Sequence, residues 1–330
     1  MYQFRPFRNS DPPRLADIWN RQSSQRRLVQ PVSAELLERC IFSRPTFERK
    51  GFVIATQDDV AVGFVHAGFG ATEDLTRLST DLGVTCMLMV DPAVDVTVDR
   101  GAGDPRQGLD SALLARGEEY LRRQGATVLY AGAIRPLDPF YLGLYGGSEL
   151  PGILSSDAQA LSLYKAHDYE EIDRVCVLQC DLTRSRAAFD RRQLHLRREM
   201  RVTVTYDPPT TSWWEAVTLG DMERTRFELI RSADGAPLAS VNFWNMEPLS
   251  SSWGIRAAGM MELDVVAEER RVGIATCLLG EAFRCLKAEG VTRVEAQTMI
   301  QNKPAQALYK SFGFQQVDEG VVLRKRPQAM

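Results

Sequence analysis

The fold is decided by the stretch Met261-Glu-Leu-Asp-Val-Val-Ala-Glu-Glu-Arg-Arg-Val-Gly-Ile-Ala-Thr-Cys-Leu-Leu279. It begins as an apolar strand (260–266), passes through a charged turn (267–271) and enters a helix at 272–275. A strand that runs directly into a helix aims several unpaired backbone N–H groups and the positive end of the helix dipole at one point. Such a point binds phosphate.

The residues of this turn are suited to hold an anion. Gly273 has no Cβ and permits close approach, and Ala275 is the next smallest choice. Arg270 and Arg271 add positive charge at the rim, where guanidinium groups pair well with phosphate. The sequence therefore predicts a phosphate cradle made of Arg270, Arg271, Val272, Gly273, Ile274 and Ala275. The competing interpretation is an ordinary turn with a solvated arginine pair.

Further motifs follow the cradle in a fixed order. A predicted helix (275–289) ends at Gly290, a strand covers 293–300, and a second helix follows. The motifs in order are Leu263-x-Val265, Arg270-x-x-Gly273-x-Ala275, Asn302, Ala307-Leu-Tyr309 and Phe312-Gly-Phe314. Over roughly residues 200–326 this order resembles the GCN5-related N-acetyltransferases, the GNAT superfamily.

The resemblance implies a site that uses acetyl-coenzyme A as acyl donor. In that family the arginine and glycine turn holds the coenzyme pyrophosphate, and the later asparagine and tyrosine lie beside the pantetheine arm and the sulfur. Asn302 and Tyr309 occupy those positions here, and the Tyr309 phenol is expected to protonate the leaving thiolate. Backbone groups from Leu263 to Val265 are expected to pair with pantetheine and polarise the acetyl carbonyl. The alternatives are a helix cap for Asn302 and plain packing for Tyr309.

Transfer to an amine also requires a base, because a lysine-like amine with a pKa of ~10.4 is almost entirely ammonium at neutral pH. Glu262 and Asp264 alternate with Leu263 and Val265, so both carboxylates are predicted on one face of the strand. Carboxylates on an otherwise apolar strand favour a catalytic site. The alternative is a solvated strand face.

The N-terminal half repeats the same order of elements. A strand (84–90) and a polar loop (91–106) precede Gly108 at a helix start. Asp157 lies seven positions before Tyr164, as Asn302 lies seven before Tyr309. The glycine-to-tyrosine spacing is 56 positions in this copy and 36 in the later one, so the first copy carries an insert of about 20 residues at 135–154.

The repeat predicts an α/β (α+β) chain of two tandem GNAT-like domains. Each is expected to hold a mixed, mostly antiparallel central sheet flanked by helices. The predicted boundaries are 1–183 for the first domain, 184–200 for a basic linker and 201–330 for the second domain. The chain is predicted to end in a hairpin of 314–317 and 321–325.

The first copy is predicted to be degenerate and non-catalytic. Asp110 takes the place of Ala275, and Pro105 with Arg106 replace the two arginines. A carboxylate ~4–6 Å from a pyrophosphate costs on the order of 1 kcal/mol even with strong screening. An outward-pointing Asp110 would instead leave a second coenzyme site. The insert, aromatic and glycine-rich at 140–147, is the candidate to cover a ligand or contact the other domain.

Composition limits the possible partners and compartment. A net charge of -3 argues against nucleic acid and anionic membrane as partners, and the apolar runs fall short of the ~20 residues of a membrane span. The N-terminus has no signal-peptide core. Six cysteines without metal or disulfide spacing indicate a reduced, cytoplasmic protein without a metal site. A monomer or homodimer acting on a small-molecule or peptide amine is expected.

The sequence thus predicts an N-acyltransferase in which an amine attacks acetyl-coenzyme A directly in the C-terminal domain. The alternative is an acyl-coenzyme A binding or sensing protein without catalysis. Tyr309 and Asn302 argue against that alternative, while the uncertain base leaves it open. An oxidoreductase is disfavoured because no Gly-x-Gly-x-x-Gly turn is followed by an acidic residue about 20 positions later.

Overall fold

A single sheet of 13 strands connects the two halves of the chain in the computed structural model, which describes residues 2–94, 108–135, 137, 139–184, 196 and 198–326. The strands of the N-terminal half are β1 (Gln3–Pro6), β2 (Phe52–Gln57), β3 (Val60–Ala71), β4 (Leu78–Val90), β5 (Val128–Ala131), β6 (Ile153–Leu154) and β7 (Tyr169–Asp181). Its helices are α1 (Pro12–Asn20), α2 (Ala34–Leu37), α3 (Leu109–Arg123) and α4 (Ala158–Ala166).

The C-terminal half repeats this order of elements. Its strands are β8 (Met200–Tyr206), β9 (Arg224–Arg231), β10 (Pro237–Asn245), β11 (Ala257–Val265), β12 (Arg293–Met299) and β13 (Gln315–Lys325). Its helices are α5 (Trp213–Leu219), α6 (Glu247–Trp253), α7 (Ile274–Ala288) and α8 (Lys303–Ser311). In each half a strand leads into a long helix at a glycine, Gly108 or Gly273, as the sequence predicts.

The sheet is mixed and mostly antiparallel, as predicted. Its strand order is β1-β2-β3-β4-β5-β13-β7-β12-β11-β10-β9-β8, and the short β6 pairs with β13. Two pairs are parallel, β4 with β5 and β11 with β12. They occupy equivalent places in the two halves, on the strands that flank the long helices α3 and α7.

The two halves exchange their last strands. β7 belongs to the N-terminal half but pairs with β12, while β13 pairs with β5. β7 and β13 also pair with each other, from Gln315 opposite Gln179 to Lys325 opposite Tyr169. The sheet of each half is therefore completed by a strand of the other half. The boundaries at 183 and 201 stay predictions, and most of the predicted linker 184–200 lies outside the described residues.

The predicted final hairpin is wrong. β13 is one continuous strand, and a register shift between Gln316 and Asp318 takes it past the polar residues expected to form a turn. β13 lies between β7 on one side and β5 with β6 on the other, so pairing on both edges favours extended backbone through Asp318 and Glu319.

Two hydrophobic clusters lie on opposite faces of the C-terminal sheet. Along β11, Ala258 and Met260 belong to the cluster that contains α7, whereas Ala257 and Met261 belong to the cluster that contains the insert. Successive strand residues point to opposite faces, so α7 and the insert are separated by the sheet. We refer to these two sides as the helix face and the insert face.

Candidate functional site

A cleft opens where β11 and β12 separate. The two parallel strands pair from Ala257 opposite Arg293 to Met260 opposite Ala296. Both then continue, β11 to Val265 and β12 to Met299, and a cleft of about 1060 Å³ begins at this point. Its lining comes from β11, the turn before α7, the start of α7, β12 and α8. This volume is in the range of small-molecule and cofactor sites.

A β-bulge shapes the β11 wall of this cleft. The register against β10 shifts so that Ser240 faces Asp264 while Asn242 faces Met261, which leaves Glu262 and Leu263 opposite a single residue. Glu262 adopts a positive φ of 55°. A bulge takes one residue out of the ladder and bends the strand. On the other edge of β11, pairing with β12 ends at Met260, so the backbone near Leu263 is available to a ligand in the cleft.

The glycine turn that the sequence predicts as a phosphate cradle lies at the start of α7. Gly273 is the N-cap residue with φ 98°, a conformation that favours glycine. Because glycine has no side chain to cap the helix, the first N–H groups of this 15-residue helix are left for another acceptor. Ala275 lines the cleft with these groups, and Ile274 lines it while its side chain is 1% exposed.

The two arginines of the cradle are at its rim. Arg270 donates from Nε to the carbonyl oxygen of Val265 at 2.9 Å, and its side chain is 61% exposed. Arg271 has φ 64° and is exposed. Both line the cleft. Their exposure leaves them able to turn toward an anion at the helix start.

Asn302 and Tyr309 reach the same cleft from α8. The Asn302 side chain accepts a hydrogen bond from the Ala305 N–H at 3.2 Å, so the helix-cap role considered from the sequence is present. Tyr309 is 6% exposed, and its ring lies 5.4 Å from that of Phe314. Burial, with a contribution from the charge of Glu149, raises the pKa of Tyr309 to about 12. The phenol therefore holds its proton at neutral pH.

The two candidate bases have different surroundings. Glu262 accepts hydrogen bonds from Arg135 Nη2 at 3.0 Å and from Asn242 Nδ2 at 2.7 Å, one on each oxygen. The Asp264 side chain is 76% exposed and lies 3.6 Å from Arg270. Glu262 is thus fixed by two hydrogen bonds although its side chain is 43% exposed, and Asp264 stands at the rim of the cleft.

The structure brings nearly all predicted site residues to one cleft, namely Glu262, Leu263, Asp264, Val265, Arg270, Arg271, Gly273, Ile274, Ala275, Asn302 and Tyr309. Val272 is the exception, because it packs against the hydrophobic cluster that contains α7. The structure shows that these residues lie close together, and the role of each residue remains a prediction.

Sequence reasoning missed three polar residues near the cleft. Arg135 Nη1 pairs with Glu149 at 3.0 Å, and both residues come from the insert. Gln297 of β12 lines the cleft, and its amide donates to the carbonyl oxygens of Gly146 and Glu149, each at 3.2 Å. The sequence feature that could have indicated Arg135 and Glu149 is the insert itself, because only the first copy carries it.

The insert contacts the C-terminal half, one of its two predicted roles. Trp244 Nε1 donates to the carbonyl oxygen of Ser148 at 3.0 Å, and the Ser148 N–H donates to Glu295 Oε1 at 2.8 Å. Arg27 Nη1 pairs with Glu295 Oε2 at 2.8 Å. Residues of the insert such as Tyr141 and Ser148 are almost fully buried, so it forms part of the core between the halves.

The equivalent place in the N-terminal half holds a smaller cleft of about 290 Å³. Asp110 lines it and is 5% exposed, so the alternative in which this side chain points outward is wrong. Its Oδ1 accepts from the Ser111 N–H at 2.8 Å, at the helix start where Ala275 stands in the other half. The predicted replacements Pro105 and Arg106 lie outside the described residues.

Two other expectations concern membranes and metals. None of the helices in the described ranges is long and apolar enough to cross a membrane. The described residues also hold no group of three or more His, Cys, Asp or Glu side chains placed to bind a metal ion.

Residues 193–314 match the model of the acetyltransferase (GNAT) family. This match covers the turn at Gly273, Asn302 and Tyr309, and it identifies residues 193–314 as a GNAT domain. The repeated elements and the similar solved structures show that the chain has the fold of a tandem GNAT protein. Proteins of this family are acyltransferases. No curated protein matches the chain.

Solved structures share the fold over the full length of the chain. The GCN5-related glucosamine N-acetyltransferase region of a fungal multi-domain GH3 β-N-acetylglucosaminidase has TM-score 0.69 and 17% identity. The match covers 98% of this chain and 38% of that one. A tandem GNAT protein from the clavulanic acid biosynthesis pathway has TM-score 0.63 and 15% identity, with 100% of both chains covered. A GCN5-related N-acetyltransferase from Sphaerobacter thermophilus has TM-score 0.61 and 17% identity, covering 99% and 96%.

Proposed function

We propose that the protein transfers an acetyl group from acetyl-coenzyme A to the amine of a small molecule or peptide in the C-terminal cleft. One observation carries the proposal. The glycine-capped start of α7 and the protonated phenol of Tyr309 line the same cleft of about 1060 Å³. An anion site and an acid in one cleft fit a donor that ends in a diphosphate on one side and a thioester on the other.

The coenzyme is held at two places in this proposal. Its pyrophosphate accepts hydrogen bonds from the first N–H groups of α7, and Arg270 and Arg271 add charge from the rim. Its pantetheine arm pairs with backbone of β11 around Leu263, where the bulge and the separation from β12 free the strand edge. Asn302 lies along the same path.

The reaction follows from this placement. The neutral amine attacks the thioester carbonyl carbon, the C–S bond breaks, and the leaving thiolate takes the proton of the Tyr309 hydroxyl. Positioned acids and bases of this kind typically contribute ~10²–10⁴-fold to the rate. A carboxylate must first take a proton from the ammonium form of the acceptor. Glu262 and Asp264 are the carboxylates on β11 that stand within the cleft.

The cradle is tested by the variant Gly273→Asp. The new side chain is strained at φ 98° and places a carboxylate at the site of the diphosphate. Binding of coenzyme A measured by calorimetry is expected to be abolished. Gly254→Asp is the matched control, since Gly254 also has positive φ, has open space around it and lies outside the cleft. Unchanged affinity of Gly273→Asp would refute the cradle.

The transfer step is tested by thioester consumption with a panel of amines. Loss of the thioester and a matching gain of acetylated amine are expected for the intact protein. Tight coenzyme binding without consumption would favour the non-catalytic acyl-coenzyme A binding protein.

A further inference from the structure

The acetyl transfer site is reached from both faces of the sheet. Tyr309 packs in the hydrophobic cluster of the helix face, together with α7. Gln297 and Glu262 line the same cleft, but their side chains make hydrogen bonds to the insert. The gap between β11 and β12 is therefore a window through the sheet, with the coenzyme cradle on one side and the insert on the other.

The insert presents a carboxylate at this window. Glu149 is positioned through its backbone carbonyl, which accepts from Gln297 Nε2 at 3.2 Å, and through its Oε2, which pairs with Arg135 at 3.0 Å. Arg135 in turn reaches Glu262 at 3.0 Å, so one guanidinium links the two carboxylates. The charge of Glu149 also contributes to the raised pKa of Tyr309.

The three candidate carboxylates differ in how many of their oxygens already accept a hydrogen bond and in how exposed they are. Glu262 uses both oxygens, one for Arg135 and one for Asn242. Asp264 stands at the exposed rim beside Arg270. Among the described residues no donor reaches Oε1 of Glu149, and its side chain is 21% exposed. Glu149 thus has an oxygen for an incoming donor and is partly shielded from water.

The charge around the window favours a cation. Glu149 and Glu262 carry two negative charges against the single positive charge of Arg135. Burial raises the pKa of Glu149 and the charge of Glu262 raises it further, while Arg135 lowers it, and the net pKa lies above the ordinary value. A carboxylate in this state attracts an ammonium group and accepts a proton more readily than a solvated one.

We propose that Glu149, supplied by the N-terminal half, binds the ammonium group of the acceptor and takes its proton, so that both halves build one active site. The inference rests on the acetyl transfer proposed above and names its base. It also implies that the acceptor amine is cationic in solution and enters from the insert face.

The ammonium gives one proton to Glu149, which releases it to solvent after the reaction. The free amine attacks the thioester carbon, and the C–S bond breaks. Tyr309 gives its proton to the thiolate, and the surplus proton on the acylated nitrogen restores the phenol. The products are a neutral amide, the thiol form of coenzyme A and one released proton.

The variant Glu149→Gln tests this assignment. It keeps the size of the side chain and removes the proton acceptor. At pH 7 we expect kcat to fall by ~10²-fold or more, with the KM for acetyl-coenzyme A and the calorimetric affinity for coenzyme A unchanged. Glu149→Asp is expected to recover part of kcat. Glu73→Gln, an exposed carboxylate of the same half, is the matched control and should keep the activity of the intact protein.

The pH profile separates a base from a structural residue. As pH rises toward the pKa of the acceptor amine, solvent supplies more of the free amine, and the defect of Glu149→Gln should shrink. The charged groups that face Glu149 are Arg135 and Glu262, and Tyr309 with its high pKa remains protonated over this range. A defect that stays constant with pH would overturn the assignment.

The remaining outcomes are also decisive. Normal turnover by Glu149→Gln would refute the inference while acetyl transfer by the intact protein stands. A pH-dependent loss in Glu262→Gln with normal turnover in Glu149→Gln would move the base to β11. If the intact protein consumes no thioester with any amine of the panel, the proposed function fails and this inference fails with it.

Discussion

At the scale of single residues, Tyr309 shows how location defines a chemical role. Its ring is packed beside Phe314, and its hydroxyl shares a cleft with the glycine-capped end of α7. Burial keeps the phenol protonated well above neutral pH, because its pKa is raised to about 12. A buried phenol of this kind keeps its proton at neutral pH, so it is available as a proton donor and unsuited to act as a base.

The variant Tyr309→Phe should separate catalysis from binding. It removes the hydroxyl and retains the ring, so packing against Phe314 is preserved. We expect kcat to fall by ~10²-fold or more with little change in the calorimetric affinity for coenzyme A. Tyr206→Phe is the control, because it removes an exposed phenol that lies outside the cleft. Near-normal turnover by Tyr309→Phe would remove the acid role.

Residues near each other in sequence could be assigned in advance, and residues brought together by folding could not. Gly273 and Tyr309 belong to local motifs whose spacing survives in the sequence. Glu149 approaches Gln297 across 148 positions, and nothing in the residues around Glu149 indicates that contact. Glu262 was predicted from strand alternation, yet the bulge that sets its surroundings depends on the register with β10.

At the scale of elements, the insert is held by close backbone contact with β12. Gly147 has φ 119°, and a Cβ at this position would overlap the Glu295 carboxylate and crowd the Arg27 guanidinium. Only glycine allows the chain to pass these charged groups in this conformation. The position of Glu149, two residues later, therefore depends on the absence of a side chain at Gly147.

The variant Gly147→Ala is expected to displace the insert. Positive φ in a non-glycine residue costs about 1–3 kcal/mol, and the overlap with Glu295 adds to it. We expect a lower free energy of unfolding in guanidinium titrations together with reduced kcat. Gly235 also has a positive φ, of 75°, with no atom within 4 Å of an added Cβ, so Gly235→Ala should show only the conformational cost. Equal stability of the two variants would contradict the overlap.

The sequence also predicted most elements but not which half completes each sheet. The repeat of strand, glycine and helix was readable because local patterns recur in both halves. The exchange of β7 and β13 was not, because the neighbours of each strand are set by contacts between distant parts of the chain, which local patterns do not contain. The hairpin was wrongly predicted for the same reason. The polar residues in the middle of β13 resemble a turn in the sequence, and only the strands paired on both edges show that they are extended.

At the scale of the whole molecule, the two halves share one interior. Arg27 and Glu295 form a buried pair at 2.8 Å, with side chains 3% and 0% exposed. Glu295 also accepts hydrogen bonds from the Ser148 N–H at 2.8 Å and from Gln179 Nε2 at 2.7 Å. The pair thus connects the start of the chain, the insert, β7 and β12. The proposed acetyl transfer site, with residues from both halves, depends on this arrangement remaining rigid.

Breaking this pair should destabilise the whole molecule. Arg27→Met leaves the Glu295 carboxylate buried without its cation, a change that typically costs ~3–5 kcal/mol. Glu295→Gln in the same chain removes the unpaired charge and keeps acceptors for Ser148, so the double variant should recover a large part of that loss. Guanidinium unfolding measures both. A positive coupling energy between the two substitutions is expected.

A surface pair provides the comparison. Arg123 and Glu119 pair on α3 with side chains 71% and 43% exposed, so Arg123→Met should change the free energy of unfolding by ~0–1 kcal/mol. Because β7 and β13 cross between the halves, Arg27→Met should also unfold in a single transition at lower denaturant. Two separate transitions, or a cost no larger than that of Arg123→Met, would show that the halves are stable independently, and the shared active site would then lack its structural basis.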